Sequence, residues 1–149
     1  MAKKDEVLVS EQVLQVPFSY SAGPVASRFL IGLRDERKIY GLRCGHCRQV
    51  YVPPRGACPS CGTAMTEWVE VGPEGELANF TVIHYGEAMH PASAPFAAGI
   101  IMLKGAATGL VHLLLCPPAD LKLGMRLRPV WAQERKGRIL DLAGFEPAE

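Results

Sequence analysis

Residues 41–65 read GLRCGHCRQVYVPPRGACPSCGTAM. Four of the chain's five cysteines lie in this stretch as two Cys-x-x-Cys pairs, Cys44 with Cys47 and Cys58 with Cys61, and ten residues separate the pairs. Two residues between cysteines let one tight turn aim both sulfurs at a single ion, and zinc asks for four such ligands in a tetrahedron. The doubled spacing therefore predicts a structural Zn(2+) site made by Cys44, Cys47, Cys58 and Cys61. Four thiolates leave no ligand position open, so the ion is expected to hold the fold rather than act as a Lewis acid. Gly62 after the second pair suits the left-handed backbone that such turns often need. His46 lies inside the first knuckle, but a complete thiolate shell leaves it no place as a ligand. A thioredoxin-like redox pair needs only one Cys-x-x-Cys. Iron in a rubredoxin-like electron carrier uses the same four ligands and stays open on sequence alone.

Outward from this block the chain divides by composition. Three regions are expected: an N-terminal arm and helix over 1–40, a zinc ribbon over 41–65, and a β-patterned OB-fold domain over 66–149. In the first, Pro24 fits the first turn of a helix that places Val25, Phe29, Leu30 and Leu33 on one face, with Gly32 weakening it. Residues 7–20, VLVSEQVLQVPFSY, read as extended, with too little around them to form a core of their own. That arm is expected to lie against its own barrel or a partner.

In the third region, apolar or β-branched runs recur between turn signals: Glu76 to Tyr85, Phe96 to Leu103, Thr108 to Leu115, Met125 to Ala132 and Arg138 to Phe145. Arg135, Lys136 and Gly137 suit a tight hairpin between the last two. Five strands fit a small closed barrel of the OB type better than a sandwich. The expected fold is thus mainly β: a short helix, a zinc ribbon, and a five-stranded OB-fold barrel.

Charge narrows the partners little. Sixteen Lys and Arg face fifteen Asp and Glu, and four thiolates with one divalent cation move the formal charge from +1 to −1. The longest uncharged stretches fall short of the ~20 residues that cross a bilayer, so no membrane partner is expected. The start carries Lys3 and Lys4 followed by Asp5 and Glu6, and Val7 to Val9 is too brief for a signal segment; a cytoplasmic location is expected.

Between Arg37 and Thr66 there are five basic residues, Arg37, Lys38, Arg43, Arg48 and Arg55, and no acidic one. They either offset the net −2 of a metal tetrathiolate or form a phosphate or partner surface; arginine forks match the phosphates of coenzyme A. His84 and Tyr85 close the first barrel strand and His90 sits in the following loop, where each reads as an ordinary polar group or as the lining of a ligand groove. Cys116 with His112 could be taken for a nucleophile pair. On a strand, residues four apart stand ~13 Å from one another, too far for a thiol-activating hydrogen bond. Cys116 then reads as a small buried hydrophobe, and no complete active site is expected on this chain.

A doubled knuckle followed by a five-strand barrel resembles the acyl-CoA-associated OB-fold family with an N-terminal rubredoxin-like zinc ribbon, long catalogued as a domain of unknown function. The likeness rests on Gly41-Leu-Arg-Cys44, Tyr51-Val-Pro-Pro-Arg55, Cys58-Pro-Ser-Cys61-Gly62, Gly75-Glu-Leu-Ala-Asn-Phe-Thr81-Val82, Pro95-Phe96, Lys104-Gly105, Leu123-Gly124-Met125 and Phe145-Glu-Pro147. Arg48 departs from it where glycine commonly follows the first knuckle, which puts that turn's geometry in question. Phe96 stands where tyrosine is usual, and residues 1–24 extend beyond the usual start. The resemblance implies an accessory subunit bound to a thiolase-superfamily enzyme, as in benzoylsuccinyl-CoA thiolase. Such a subunit helps to hold acyl-CoA while the partner makes or breaks a carbon-carbon bond. In that setting Arg43, Arg48, Arg55, Phe80, His84 and Tyr85 are the candidate contacts to coenzyme A or the partner. The rival expectation is a nucleic-acid-binding ribbon and barrel in which Phe80, Tyr85 and Trp131 stack bases.

Overall fold

The computed structural model describes residues 7–14 and 16–148; the charged start, residues 3–6, lies outside them. The described residues among 7–20 carry no regular secondary structure, and their apolar side chains are open to solvent. Helix α1 spans Gly23–Ile31, with the Gly23 amide donating to Ser21 Oγ (3.2 Å) and Pro24 in its first turn. Gly32 does not end the helical path, which continues as a π-turn over Gly32–Glu36 and stops at Arg37 in the left-handed conformation. The missing side chain at Gly32 is needed for packing: a Cβ there would come within 2.6 Å of the Tyr40 ring. Phe29 and Leu33 are buried as their spacing predicts, with Leu30 packed beside them and Val25 turned to the ribbon.

Three short strands follow: β1 (Ile39–Arg43), β2 (Val50–Tyr51) and β3 (Glu67–Val71), in the order β2-β1-β3 with antiparallel pairing. One face of this sheet, through Ile39, Val50, Val52 and Val71, joins the main hydrophobic core; the other, through Leu42, Tyr51 and Met65, packs with Cys44 and Cys58.

The barrel is closed by β4 (Gly75–Ile83), β5 (Phe96–Leu103), β6 (Leu110–Leu114), β7 (Arg126–Trp131) and β8 (Leu142–Pro147) in the order β4-β5-β6-β8-β7, as the five-strand reading anticipates. Period-2 alternation sends Leu77, Ile101, Leu103, Leu110, Leu127 and Phe145 inward. Gly99 faces the same interior, where a Cβ would meet Leu77 Cδ1 at 2.6 Å.

The last strand departs from expectation. It begins at Leu142 rather than Arg138, and residues 132–141 form a long connection rather than a tight hairpin. The cause is Asp141, fully buried, whose carboxylate accepts the amides of Lys136 (2.9 Å), Gly137 (2.6 Å) and Arg138 (3.2 Å) and folds the chain into a 3-10 turn over Ile139–Asp141. This loop reaches the helix, where Arg135 Nε donates to the Arg34 carbonyl (2.7 Å).

Ribbon and barrel are also tied through the β5–β6 turn. The Ala107 amide donates to the Val50 carbonyl (2.7 Å), and Thr108 Oγ1 takes the Val52 amide and returns its own proton to the Val52 carbonyl, both at 2.9 Å. No helix among the described residues is long and apolar enough to cross a membrane.

Candidate metal centre

The two knuckles repeat one backbone pattern. The Cys44 amide donates to Gln49 O and the Arg48 amide to Cys44 O; in the second knuckle the Cys58 amide donates to Thr63 O and the Gly62 amide to Cys58 O, all at 2.8–3.0 Å. The residue after each pair takes a left-handed conformation, Arg48 at φ 62° and Gly62 at φ 69°. Arginine at the first position therefore does not change the turn. It adopts the glycine geometry at a backbone cost of about 1–2 kcal/mol.

The four sulfurs lie within 4.8 Å of one another, with Cys44 and Cys58 buried and Cys47 and Cys61 half-buried. A tetrahedron with Zn–S bonds of ~2.3 Å has edges of about 3.8 Å. The Cys47 Sγ to Cys58 Sγ separation is 3.7 Å, close to such an edge and far from a disulfide. The residues present thus fit the tetrathiolate site that the spacing predicts.

Protein groups surround three of the sulfurs. Thr63 Oγ1 and the Cys47 amide approach Cys44 Sγ, the Tyr51 hydroxyl approaches Cys58 Sγ, and His46 Nδ1 approaches Cys61 Sγ, each at 3.5 Å. His46 is thereby an outer partner of a ligand and not a ligand. Without a cation the Cys44 and Cys61 thiols titrate far apart. The Thr63 hydroxyl and the Cys47 amide draw the Cys44 thiol down to about 6. Its neighbour Cys61 is pushed up to about 12, first by its hydrogen bond with the Cys47 sulfur and then by burial. Crowded sulfurs cannot all ionise together unless a cation sits among them, and a divalent soft metal supplies that charge. Tyr51 and Thr63 escape sequence reasoning as outer partners, since neither residue type signals a role beside sulfur; only the position of Thr63, two after Cys61, hints at it.

The other candidate residues fall into two groups. Arg43 and Arg48 meet at one acid, Glu67 on β3, with Arg48 Nη1 3.5 Å from its carboxylate, and Lys38 pairs with Glu70 at 2.9 Å. Part of the basic run is neutralised across the ribbon sheet. Arg55 is exposed and pairs with no acid among the described residues. On the barrel, Phe80 is half-buried against the core, while His84 and Tyr85 are exposed just past the end of β4. Tyr85 packs on His90 (5.4 Å between centroids), which in turn packs edge-on to Phe96 (5.3 Å). Among the described residues no hydrogen bond, ion pair or ring contact joins the arginines to Phe80, His84 or Tyr85. Trp131, like Phe80, is packed against the core, so Tyr85 is the most open of the three aromatic rings proposed for base stacking.

Cys116 and His112 do not assemble into a nucleophile pair. His112 is buried, with Nε2 3.3 Å from the Ile139 carbonyl and Nδ1 accepting the Leu113 amide at 2.9 Å, the pattern of a neutral imidazole. Burial pushes the Cys116 thiol up, and it lines a cleft of about 360 Å³ with Pro95, Phe96, Leu115 and Pro117.

With this geometry in hand, comparison with known proteins places the chain. Residues 33–66 match the family model of the ChsH2 rubredoxin-like zinc ribbon domain, and residues 68–132 that of the ChsH2 C-terminal OB-fold domain. A DUF35 domain-containing scaffold protein of Methanocaldococcus jannaschii is 29% identical over 123 residues, covering 78% of this chain and 86% of that one. A probable enoyl-CoA hydratase alpha subunit of Thermomonospora curvata is 26% identical over 143 residues, 93% of this chain and 44% of its own length, so the chain spans less than half of that relative. Among solved structures, an Ltp2-ChsH2(DUF35) aldolase aligns with a TM-score of 0.67 at 21% identity, over 88% of this chain and 100% of that one. A DUF35 protein from Sulfolobus solfataricus aligns at 0.61 and 24%, over 72% and 78%; at these identities the likeness is one of fold. Ribbon and barrel, matched in family order over most of its length, show that this chain belongs to the DUF35 family, with a ChsH2-type zinc ribbon followed by an OB-fold domain.

Proposed function

We propose that this chain is the zinc-stapled accessory subunit of a complex acting on acyl-CoA, and that its catalytic partner is a thiolase-superfamily subunit that forms or cleaves a carbon-carbon bond. The observation that carries this reading is the closed tetrathiolate centre in a chain that aligns over most of the length of a relative named as a scaffold. The name of the longer relative, an enoyl-CoA hydratase subunit, supports the acyl-CoA side of the reading. The structure offers four sulfurs placed to hold a bracing metal and a barrel wall that can meet a partner. Zinc, when bound, supplies a rigid four-sulfur crosslink; the ribbon then presents Arg43, Arg48 and Arg55, and the barrel presents His84 and Tyr85. These side chains are proposed as contacts to the partner or to the phosphates of coenzyme A, which suit arginine forks. The cytoplasm, where acyl-CoA esters and reduced thiols coexist, is the proposed location.

The test is reconstitution. Co-expressed with a thiolase-superfamily subunit, the chain is expected to co-elute with it, and thiolytic cleavage of a 3-oxoacyl-CoA is expected to fall at least tenfold when the chain is left out. A partner that is fully active alone and never co-elutes would overturn the proposal.

A further inference from the structure

The four sulfurs of the metal centre are not equivalent. Cys44 and Cys58 are closed off, 0% and 2% exposed, whereas Cys47 and Cys61 are half-buried. A reagent arriving from solvent therefore meets two of the four ligands.

Those two differ in what surrounds them. His46 Nδ1 lies 3.5 Å from Cys61 Sγ. A thiolate carries no proton, so beside the ionised ligand the ring nitrogen is the donor. Cys47 Sγ has no such cap. Among the described residues it takes no hydrogen bond from a hydroxyl, a ring or an amide, and its one partner is Cys58 Sγ at 3.7 Å.

The knuckle pattern explains the difference. His46 stands just before Cys47 and reaches across to the last cysteine of the other knuckle. By the same rule the residue just before Cys61 would cap Cys47, and that residue is Ser60. Its hydroxyl instead meets the Tyr51 hydroxyl at 3.4 Å.

This asymmetry bears on reactivity, because the thiolate is the nucleophile. A hydrogen bond to it favours the charged ground state and weakens as the sulfur gives up its charge to a new bond. A capped sulfur therefore reacts more slowly. One such bond corresponds to about tenfold in rate. Access and electron density point to the same atom.

We propose that Cys47 is a covalent modification site, the ligand at which soft electrophiles of the activated-alkene class open the metal centre. The Cys47 thiolate bonds to the β carbon of the alkene, the π pair moves to the α carbon, and that carbon takes a proton from water. The resulting thioether is neutral and lacks the charge that holds a ligand on the ion, so the modified centre releases its metal. The inference stands apart from the accessory-subunit reading and does not depend on it.

Competitive labelling of the zinc-loaded, full-length chain tests this, in a Cys116→Ala background so that only the four ligands compete. The protein is treated with a limiting amount of N-ethylmaleimide, then quenched and unfolded in an isotopically heavy maleimide. Peptide mass spectrometry reads the label at each cysteine, and a fluorescent indicator follows zinc release. Cys47 is expected to carry about tenfold more of the first label than Cys61, and more still than Cys44 or Cys58. Zinc release should quicken in proportion to maleimide concentration. In a His46→Ala variant, which uncaps Cys61, the label at Cys61 should rise to match that at Cys47. Label spread evenly over the four ligands, led by another ligand, or absent from all of them overturns the inference. So does zinc release at a rate independent of maleimide, because the sulfurs then react only after the ion has left. An unchanged Cys61 label in His46→Ala also overturns it, since the cap then protects nothing.

Discussion

Removing the metal is expected to unfold the knuckles while the barrel stays folded. On the metal side of the ribbon, the buried apolar side chains apart from cysteine are Leu42, Tyr51 and Met65. At about 1.5–3 kcal/mol each they contribute roughly 5–9 kcal/mol. A structural zinc contributes about 10–16 kcal/mol in small zinc domains, more than that packing, so the cysteine turns depend on the ion. The opposite face of the same sheet packs into the barrel core through Ile39, Val50, Val52 and Val71, and needs no metal. The two tryptophans separate these responses, because Trp68 packs against both clusters beneath the Arg28 guanidinium (4.5 Å) and Trp131 belongs to the barrel. In a Trp131→Phe variant, a strong chelator is expected to shift Trp68 emission to the red and to expose four thiols to a thiol reagent. The amides of Cys44, Cys58 and Gly62 should lose their protection from exchange. In a Trp68→Phe variant, Trp131 emission should hold. Unchanged Trp68 emission and unchanged Cys44 and Cys58 amides in chelated, metal-free protein would refute the reasoning.

Gly62→Ala forces a side chain into a left-handed turn with open space around it, and is expected to lower zinc affinity a few-fold; Arg48→Gly relieves the same conformation and should be neutral to mildly favourable, both read by competition with a chromophoric chelator. His112 is held below its ordinary value, first by burial, so between pH 6.5 and its folded value the unfolded chain binds the extra proton. Stability is therefore expected to fall as pH drops below 6.5, and His112→Gln should flatten that dependence in urea unfolding at pH 5 and pH 7.5. Burial pushes the Asp141 carboxyl up, but the amides of Lys136, Gly137 and Arg138 outweigh it and hold the group below its ordinary 3.8. Its stabilisation is present above 3.8 and lost as pH falls through the lower folded value; Asp141→Ala, which orphans those amides, should cost about 3 kcal/mol or more in urea unfolding at pH 7.

The metal site was legible because its chemistry is local: two residues between cysteines fix the sulfur geometry whatever the rest of the chain does. The barrel was legible through apolar or β-branched runs bounded by turn signals, of which Phe96–Leu103 is the plainest. Strands β1 to β3 went unmarked because they are two to five residues long and are set by pairing between Ile39–Arg43 and Glu67–Val71, contacts distant in sequence. The loop held by Asp141 read as a hairpin because a buried carboxylate collecting three amides has no signature in a Lys-Gly-Arg run. Arg48 shows the limit from the other side, since the turn keeps its shape without the residue that normally signals it.

X-ray absorption at the zinc edge, with elemental analysis on protein isolated without chelator, addresses the closed centre directly. The account predicts one zinc per chain bound by four sulfurs at about 2.3 Å and by no nitrogen or oxygen. Less than half an equivalent of metal, or a coordination shell holding water or the His46 imidazole, would contradict it.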